Sequence, residues 1–423
     1  MNAAPAEVWT HPVVTDPVMG SIGFLNEVMS RYPDAISFAP GAPAPLFIDA
    51  FDHEPHIRRY LDHLRHDRGM SDVAARRSLY EYGPSRGLIS DLIAAALARD
   101  HRIEVPPRAV VVTVGAQEAI FLALRALAGT GDHIAVAHPC FPGVLGAARV
   151  LGLTVVPIDV TASGPDLRLL DDACGRAESE GVRLRVCYAA PDYANPSGTR
   201  MPLSARRDLL SLAHERGFVV LEDNAYGFTV DDADEFAPLK ALDDRTSVVH
   251  VGTFAKIGVP GLRVGFAVAD QPVRGGGLLG DHLATLKSMV TVNTAPLAQA
   301  VVGGLLLQHG VSLRALGREK GAFYRRNLRL LLAELDARMP RAPGTSWERP
   351  AGGFFVRVKL PVAADEALLE RSASRFGVLW TPMSGFHLDA EGDRVMRLSC
   401  SYLDDEQIRS GVARLAALVR EVA

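Results

Sequence analysis

The sequence predicts an α/β protein with a mostly parallel sheet and a smaller α+β part. Short runs rich in apolar and β-branched residues alternate with helical patterns between residues 109 and 268. These runs are apolar on both faces, as in a sheet that helices cover on each side. The pattern becomes helical after residue 295, and strands return near residue 354. Since 423 residues exceed what one hydrophobic core usually supports, two domains are expected.

Seven strand candidates are expected to build the central sheet. Each is a short apolar run bounded by turn residues, which is typical of a buried strand. Ligands of such sheets bind at the carboxyl ends of the strands, so polar residues that follow them are site candidates. The strand candidates are residues 109–114, 133–137, 154–158, 185–189, 218–222, 247–252 and 263–268, with helical stretches at 117–127, 143–151 and 204–216.

The pattern of apolar residues in the last third of the chain predicts a linker and a second, smaller domain. Residues 296–339 are expected to form one long, broken helix. The tail then predicts a strand at 354–359, a helix at 364–376, a strand at 395–399 and a last helix at 405–422. We expect the first 50 residues to pack with this tail. The predicted division is residues 1–55 for an N-terminal arm and part of the small domain, 56–300 for the large domain, and 301–423 for the linker helix and small domain.

Composition and charge argue against several classes of protein. A net charge of only −4 argues against a nucleic-acid or anionic-membrane partner. The N-terminus lacks the basic start and apolar core of a signal peptide, and no apolar run is long enough to span a bilayer. The four cysteines are far apart and follow no metal-binding spacing. We therefore expect free thiols, a cytoplasmic location, and no metal, nucleic-acid or membrane partner.

The segment of residues 253–265 carries one lysine and one arginine around a Pro-Gly turn. Lys256 ends an apolar run, where burying an ammonium group is costly unless the amine takes part in chemistry. An amine with a lowered pKa can form a Schiff base with an aldehyde. Arg263 follows seven residues later and could hold a phosphate. The alternative is a surface lysine at a strand end, which the following Pro-Gly-Leu-Arg turn disfavours.

Glu222 is the last residue of the strand candidate at 218–222, and a second acid, Asp223, follows it directly. Tyr226 comes three residues after Asp223. A carboxylate at a strand end can hold a proton on a heterocyclic nitrogen. A protonated pyridine ring is an electron sink that stabilises a carbanion. The alternatives are an acid that caps the next helix and a metal ligand.

Two turns that follow other strands could contribute backbone and amide groups. Asn195 lies in an Asn-Pro-Ser-Gly turn and would present its amide at the sheet edge. Gly115, before Ala116 and Gln117, opens a helix whose free N–H groups suit a phosphate. The Lys-Ser/Thr pair of a P-loop is missing there, so a nucleoside triphosphate is not expected. Each turn alone is also a common structural feature.

Two further residues are candidates for ligand contacts. Phe141, between two prolines, could stack on a planar ring, although such an aromatic residue is more often part of the core. Arg397 alternates with apolar residues on a short strand, and its fork suits a substrate carboxylate. A salt bridge between domains is the alternative for Arg397.

In this order, these segments resemble the pyridoxal-phosphate enzymes of fold type I, specifically the class I/II aminotransferases. The resemblance runs from about residue 36 to residue 402. It implies an aspartate aminotransferase-like fold, with a large domain built on a mostly parallel seven-stranded sheet. It also implies pyridoxal 5′-phosphate as the cofactor, and a transaminase that moves an amino group between an amino acid and a 2-oxo acid.

The resemblance implies a role for each candidate residue. Lys256 would carry the cofactor covalently and act as the catalytic base. Asp223 would pair with the pyridine nitrogen, and Tyr226 would donate to the ring oxygen. Asn195 would reach that oxygen and the substrate carboxylate. The implied phosphate contacts come from Gly115, Ala116, Gln117, Thr253, Arg263 and Tyr82.

The remaining implied contacts concern the substrate and a second subunit. Arg397 matches the arginine that clamps the α-carboxylate, and Phe141 matches the aromatic residue that stacks on the cofactor ring. Gly41 belongs to a Gly-x-Pro segment whose backbone lines the substrate site. Tyr82 begins a Tyr-x-x-x-x-Gly segment that the partner subunit donates in this family, so the resemblance implies a homodimer.

Longer stretches look like the transaminases that make unusual amino acids for nonribosomal peptide antibiotics. Residues 34–43, 80–93, 110–127 and 191–198 resemble the hydroxyphenylglycine and dihydroxyphenylglycine transaminases. Pathway enzymes for arginine-derived residues such as enduracididine share the pattern. Residues 381–387 depart from the family's Pro-Gly-x-x-Phe segment near the substrate side, which leaves the substrate open between an aryl-glycine and an arginine-derived amino acid.

Two alternatives to a transaminase remain at this stage. The same kind of site can run β-elimination, cyclisation or oxygen-dependent oxidation of an amino acid. A non-catalytic, aminotransferase-like domain of a transcription regulator would carry a helix-turn-helix module ahead of this fold. Since the Gly-x-Pro segment begins at residue 41, we expect no room for such a module.

Overall fold

A computed structural model describes residues 8–161, 164–229 and 237–422. Within these residues, a central sheet of eight strands contains all seven predicted strands. The additional strand has only two residues, Gly164–Pro165, too few to give a recognisable pattern in the sequence. In spatial order the strands are Val110–Val114, Val264–Val268, Val248–Thr253, Val219–Asp223, Leu184–Ala189, His133–His138, Thr154–Thr161 and Gly164–Pro165.

The strand directions bring one set of carboxyl ends to a common edge. The strands from Val248–Thr253 through Thr154–Thr161 pair in parallel. Val264–Val268 runs antiparallel to both of its neighbours, Val110–Val114 and Val248–Thr253. Val110–Val114 therefore runs in the same direction as the parallel strands and also ends at the common edge. The sheet is therefore mostly parallel, as predicted.

Helices cover both faces of the central sheet because its strands are apolar on both sides. Val110, Val111, Val112, Val249 and Val251 are all fully buried. In chain order the α-helices are Pro17–Arg31, Pro45–Asp49, Glu54–His66, Asp72–Arg77, Ser90–His101, Gly115–Leu127, Pro142–Val150, Leu167–Ser179, Leu203–Arg216, Leu239–Leu242, Leu279–Ser288, Pro296–Gln308, Leu313–Arg338, Glu366–Arg371 and Asp405–Val422.

A second, antiparallel sheet lies in the C-terminal third of the chain. Its strand order is Ser346–Trp347, Phe355–Lys359, Val395–Ser399 and Thr381–Pro382. The predicted strand at 395–399 and the predicted last helix at 405–422 have the observed bounds. The helix predicted at 364–376 is an α-helix over Glu366–Arg371 that continues as a π-helical turn over Ser372–Phe376.

The expected long helix of residues 296–339 is two helices that meet at an angle of 88°. The break falls at Gly310 and Val311, which both have positive φ angles of 64° and 56°. The second helix, Leu313–Arg338, starts in one hydrophobic core and ends in another: Leu316 packs with the core around the central sheet, and Leu331 with the C-terminal core.

The N-terminal arm lies against the C-terminal part of the chain. Val28 and Phe38 belong to the same core as the last helix, and Ile36–Ser37 pairs in parallel with Val378–Leu379. We propose that this arm and the tail form one domain and that the boundaries lie near residues 55 and 300. Within the described residues, no single helix is long and apolar enough to cross a membrane; one bent pair, Pro296–Gln308 with Leu313–Arg338, passes by length and composition alone.

Candidate active site

The predicted residues meet around one cavity of about 490 Å³ at the carboxyl edge of the central sheet. Its walls come from the N-terminal arm, from several strand ends and from the C-terminal sheet. Two predicted residues are not among those that line it: Gly115, which lies next to Ala116, and Tyr82, whose side chain is 90% exposed in the single chain. The predicted residues that line the cavity are Gly41, Ala116, Gln117, Phe141, Asn195, Asp223, Tyr226, Thr253, Lys256, Arg263 and Arg397.

Lys256 follows the strand Val248–Thr253 and extends its amine into the cavity. Its Nζ donates a hydrogen bond to the backbone carbonyl of Gly41. The backbone carbonyl of Lys256 accepts a hydrogen bond of 3.0 Å from the hydroxyl of Tyr324. Desolvation, together with the positive charges of Arg397 and Arg263, lowers the pKa of Lys256 to about 8. The amine is therefore far easier to deprotonate than an ordinary lysine.

Asp223 ends the strand Val219–Asp223 with one carboxylate oxygen occupied and one available. Its Oδ2 accepts a hydrogen bond of 2.7 Å from the Tyr188 hydroxyl. Its Oδ1 is buried and has no hydrogen-bond partner among the described residues. Burial raises the pKa of Asp223, although the Tyr188 hydrogen bond and the charge of Lys256 act in the opposite direction. This buried acceptor is therefore available to a donor from a ligand.

The neighbouring acid, Glu222, has a different role. Its carboxylate accepts hydrogen bonds from the backbone N–H groups of Leu239 at 2.7 Å and Lys240 at 3.0 Å, at the start of a short helix. It also contacts Nδ1 of His250 at 2.8 Å. Glu222 is thus the acid that caps a helix, and only Asp223 lines the cavity.

A cradle for an anion is formed where the helix Gly115–Leu127 begins. Gly115 has a φ angle of +71°, and a Cβ atom there would lie 2.4 Å from Nη2 of Arg263. Gly265 allows an equally close approach, because its Cβ would lie 2.7 Å from the backbone nitrogen of Ala116. The helix N-terminus and the guanidinium group therefore meet at one point, which suits a phosphate. Thr253 lies beside them on the cavity wall.

Arg397 lines the same cavity from the strand Val395–Ser399 of the C-terminal sheet. Its Nη1 donates to Oδ1 of Asn195 at 2.7 Å. Its guanidinium carbon lies 4.1 Å from the ring centre of Phe355 and 5.0 Å from that of Phe386. The Nε atom is buried without a hydrogen-bond partner among the described residues. Burial lowers the pKa of Arg397 to about 10, so this buried cation remains charged and suits a carboxylate.

Sequence reasoning missed three residues that shape the cavity and singled out a fourth, Phe386, only as part of the segment 381–387. Tyr188 orients Asp223, while Phe355 and Phe386 flank Arg397. Met29 reaches the cavity from the N-terminal helix. Tyr188 gave a weak signal, as a hydroxyl in an otherwise apolar strand. The other three are apolar residues in apolar surroundings, which the sequence does not distinguish from core.

The chain belongs to the class I and II aminotransferases. The model of that family, "Aminotransferase class I and II", matches residues 59–415. This membership confirms the predicted fold, the transaminase activity and pyridoxal phosphate as the cofactor. The unpaired Oδ1 of Asp223, the low-pKa amine of Lys256 and the anion cradle at Gly115 fit the ring nitrogen, aldehyde and phosphate of that cofactor.

Individual relatives agree with this assignment. The chain is 46% identical over 410 residues to the (S)-3,5-dihydroxyphenylglycine transaminase of Amycolatopsis orientalis. The aligned region covers 97% of this chain and 93% of the relative. It is 31% identical over 396 residues to the 2-aminoadipate transaminase of Thermus thermophilus, covering 93% and 92% of the two chains. The crystal structure of Pyrococcus horikoshii kynurenine aminotransferase is similar with a TM-score of 0.82 at 27% identity, covering 98% and 97%.

Proposed function

We propose that this transaminase acts on an aryl-glycine and supplies a non-proteinogenic amino acid for antibiotic biosynthesis. The observation that carries the proposal is the 46% identity, over 97% of the chain, to a dihydroxyphenylglycine transaminase. The identity to the 2-aminoadipate enzyme is much lower, at 31%. The substrate proposal therefore goes beyond membership of the family, which includes enzymes with different substrates.

The composition of the cavity supports an aromatic substrate. Phe141, Phe355 and Phe386 give it large apolar surfaces beside the polar groups of Arg397 and Asn195. An arginine-derived substrate would need a carboxylate for its guanidinium group, because a buried unpaired charge is costly. Among the described residues that line the cavity, Asp223 is the one acid, and Tyr188 already binds one of its oxygens. The site therefore favours an aryl side chain over a guanidino side chain.

The roles of the site residues follow from their positions. When bound, pyridoxal phosphate supplies an aldehyde for amine exchange and a ring that accepts electrons. Arg397 and Asn195 hold the substrate carboxylate, which orients the α-hydrogen. The neutral amine of Lys256 accepts that proton as a general base. Asp223 would hold the proton of the ring nitrogen, and Tyr226, which lines the same cavity, would donate to the ring oxygen.

The choice between substrates can be tested by steady-state kinetics with (S)-3,5-dihydroxyphenylglycine and L-arginine as amino donors. We expect kcat/KM to favour the aryl-glycine by about thirtyfold or more, since an unpaired buried charge costs about 2 kcal/mol or more. Met29→Glu should raise the relative rate with arginine by adding a carboxylate at the cavity. Met29→Gln, of nearly the same shape, should not. Equal kcat/KM values for both donors would reject the aryl-glycine proposal.

We further propose a homodimer in which Tyr82 completes the phosphate site of the partner. Tyr80 is 76% exposed, Tyr82 90%, Met289 83% and Val290 54% in the single chain, an unusual exposure for large apolar side chains. A Cβ atom on Gly83 would lie 3.4 Å from Nδ2 of Asn293, so the segments that carry these residues adjoin. Together they form an apolar surface that a second copy would cover.

The crossing of Tyr82 can be tested by mixing two inactive variants. Tyr82→Ala and Lys256→Ala would each damage every site of their own homodimers. In a heterodimer, one site would receive both intact residues, so unfolding and refolding the mixture should restore roughly a quarter of the wild-type activity. Lys256→Ala mixed with Asp223→Ala, whose lesion should lie in the same site, should restore none. No recovery in the first mixture would contradict the proposed exchange.

A cytoplasmic location is also proposed. It is supported by Cys140, Cys174, Cys187 and Cys400, which are all free and buried. Free thiols of this kind are typical of a reducing compartment.

A further inference from the structure

Two histidines and an aspartate lie together next to the active site, in a group that the transaminase chemistry does not use. His138 ends the strand His133–His138, immediately before the loop that carries Phe141. His387 and Asp389 follow the turn Ser384–Phe386, and His387 is the last residue of the segment 381–387 that departs from the family pattern. One possible ligand atom from each residue lies within 4.8 Å of the other two. We call these three residues the His-Asp cluster.

The side chains of the His-Asp cluster have the arrangement of metal ligands. The rings of His138 and His387 are 5.0 Å apart and nearly perpendicular, at 83°. Nδ1 of His387 lies 3.3 Å from Oδ1 of Asp389, and Nε2 of His138 lies 4.0 Å from Oδ2 of the same residue. Nε2 of His387 is buried and has no hydrogen-bond partner among the described residues. This nitrogen is therefore available to a ligand.

We propose that the His-Asp cluster binds a divalent transition-metal ion of the zinc class. Two imidazole nitrogens and one carboxylate are a ligand set that such ions prefer, and water can complete the coordination. The side chain of Asp389 is 51% exposed, which gives an ion a route from solvent. From the sequence we expected no metal, but that expectation considered only the spacing of the cysteines and not these histidines.

A metal ion would have to compete with two contacts of the His-Asp cluster: the one of 3.3 Å between Nδ1 of His387 and Oδ1 of Asp389, and a backbone hydrogen bond to His138. The backbone N–H of Leu388 donates to Nε2 of His138 at 3.0 Å. Coordination by that nitrogen exchanges this hydrogen bond for a metal bond. It also requires ligand atoms that now lie up to 4.8 Å apart to approach to about 3.3 Å, the separation that bonds of about 2.0–2.1 Å give in a tetrahedral site. Arg357, whose positive charge also reaches His387, is paired with Glu348, which limits its repulsion of a cation.

The proposed ion would join two segments that shape the active site. The N–H of Cys140 already donates to the carbonyl of Phe386 at 3.1 Å, linking the same two segments. Phe386 packs on Arg397, and Phe141 lies on the cavity wall. The metal would therefore be a structural ion that links the two segments and fixes the position of Phe386 on Arg397. It takes no part in the transfer of the amino group.

The test treats the holoenzyme with a chelator and then titrates it with Zn²⁺ alone, with calorimetry to measure the affinity and the number of sites. We expect one tight site per chain in the wild type. Loss of even an outer partner of a metal ligand weakens binding about 10- to 100-fold, so His387→Phe and Asp389→Asn should weaken this site by at least about tenfold. Asp389→Asn keeps the oxygen that accepts the backbone N–H of Glu391 at 3.0 Å, so it should fold normally.

The matched control is His63→Gln. His63 also pairs with an aspartate, Asp67, at 2.7 Å, but it lies outside the His-Asp cluster. This variant should keep the tight site, and X-ray absorption at the zinc edge should show two imidazole ligands in both the wild type and the control. The proposal fails if the wild type binds Zn²⁺ no more tightly than Asp389→Asn, or if His63→Gln loses the site.

Discussion

Glu222 and Asp223 are neighbours on one strand but have different roles, because strand side chains alternate between the two faces of a sheet. Glu222 points into the protein, where two backbone N–H groups and His250 satisfy its carboxylate. Asp223 points the other way, into the cavity, and keeps one oxygen without a protein partner. Its other oxygen is held by Tyr188, which makes that tyrosine a positioning residue.

Tyr188→Phe should weaken cofactor binding and lower kcat. The change removes the hydrogen bond that lowers the pKa of Asp223, so its pKa rises further and it becomes a poorer partner for a ring N–H group. The loss should be about 1–3 kcal/mol, the usual cost of an unsatisfied buried acceptor. The measurement is the dissociation constant of pyridoxal phosphate from its visible absorbance. Tyr32→Phe is the control, because that hydroxyl pairs with Glu370 at the surface, and unchanged binding in Tyr188→Phe would contradict the assignment.

The lowered pKa of Lys256 predicts how fast the cofactor-free protein captures pyridoxal phosphate. The neutral amine is the reactive form, and its fraction rises tenfold per pH unit below the pKa of about 8 and levels off above it. The rate of appearance of the visible band, divided by the rate with N-acetyl-lysine, removes the titration of the cofactor itself. This ratio should fall above pH 8. A ratio that is independent of pH would show that Lys256 has an ordinary pKa.

At the scale of single elements, the start of the helix Gly115–Leu127 depends on a residue without a side chain. Gly115 combines a positive φ angle with a close approach of Arg263. The glycine after a strand and before a helix was recognisable in the sequence, and so was Arg263 on its Pro-Gly turn. Their contact was not, because it joins residues 148 positions apart (263 minus 115).

Gly115→Ala should lower both stability and cofactor affinity. An added Cβ would clash with Nη2 of Arg263 at 2.4 Å, in addition to the backbone strain of a φ angle of +71°. Gly181→Ala is a matched control, since Gly181 has a φ angle of +74° but no atom within 4 Å of an added Cβ. Both variants should lose about 1–3 kcal/mol of unfolding free energy. Only Gly115→Ala should also bind pyridoxal phosphate more weakly, and equal binding by the two variants would contradict the cradle.

At the scale of the whole molecule, the site is assembled from parts of the chain that are remote in sequence. Met29, Lys256 and Arg397 line one cavity, although they belong to the N-terminal helix, the central sheet and the C-terminal sheet. Strand-end polar residues were predictable because parallel strands place their carboxyl ends at one edge. The break of the long helix at Gly310 and Val311 was expected only in outline, since a positive φ angle at a valine has no sequence signal.

The residues that we propose to surround the substrate were harder to predict than those that we propose to hold the cofactor. Lys256, Asp223 and Arg263 are polar residues in apolar or turn segments, which makes them visible in the sequence. Phe355 and Phe386 differ in no such way from core residues, although both pack on Arg397. The sequence therefore predicts the chemistry of the site better than its preference among amino acids, and that preference needs a direct measurement.

The most direct measurement is a half-reaction of the purified holoenzyme with (S)-3,5-dihydroxyphenylglycine and no 2-oxo acid. We predict that the visible band of the bound cofactor disappears as one equivalent of the aryl 2-oxo acid forms, and that the reaction then stops. Adding a 2-oxo acid should restore the band, and Lys256→Ala should show neither change. Continued product formation without an acceptor, or an unchanged band with the aryl-glycine, would contradict the account.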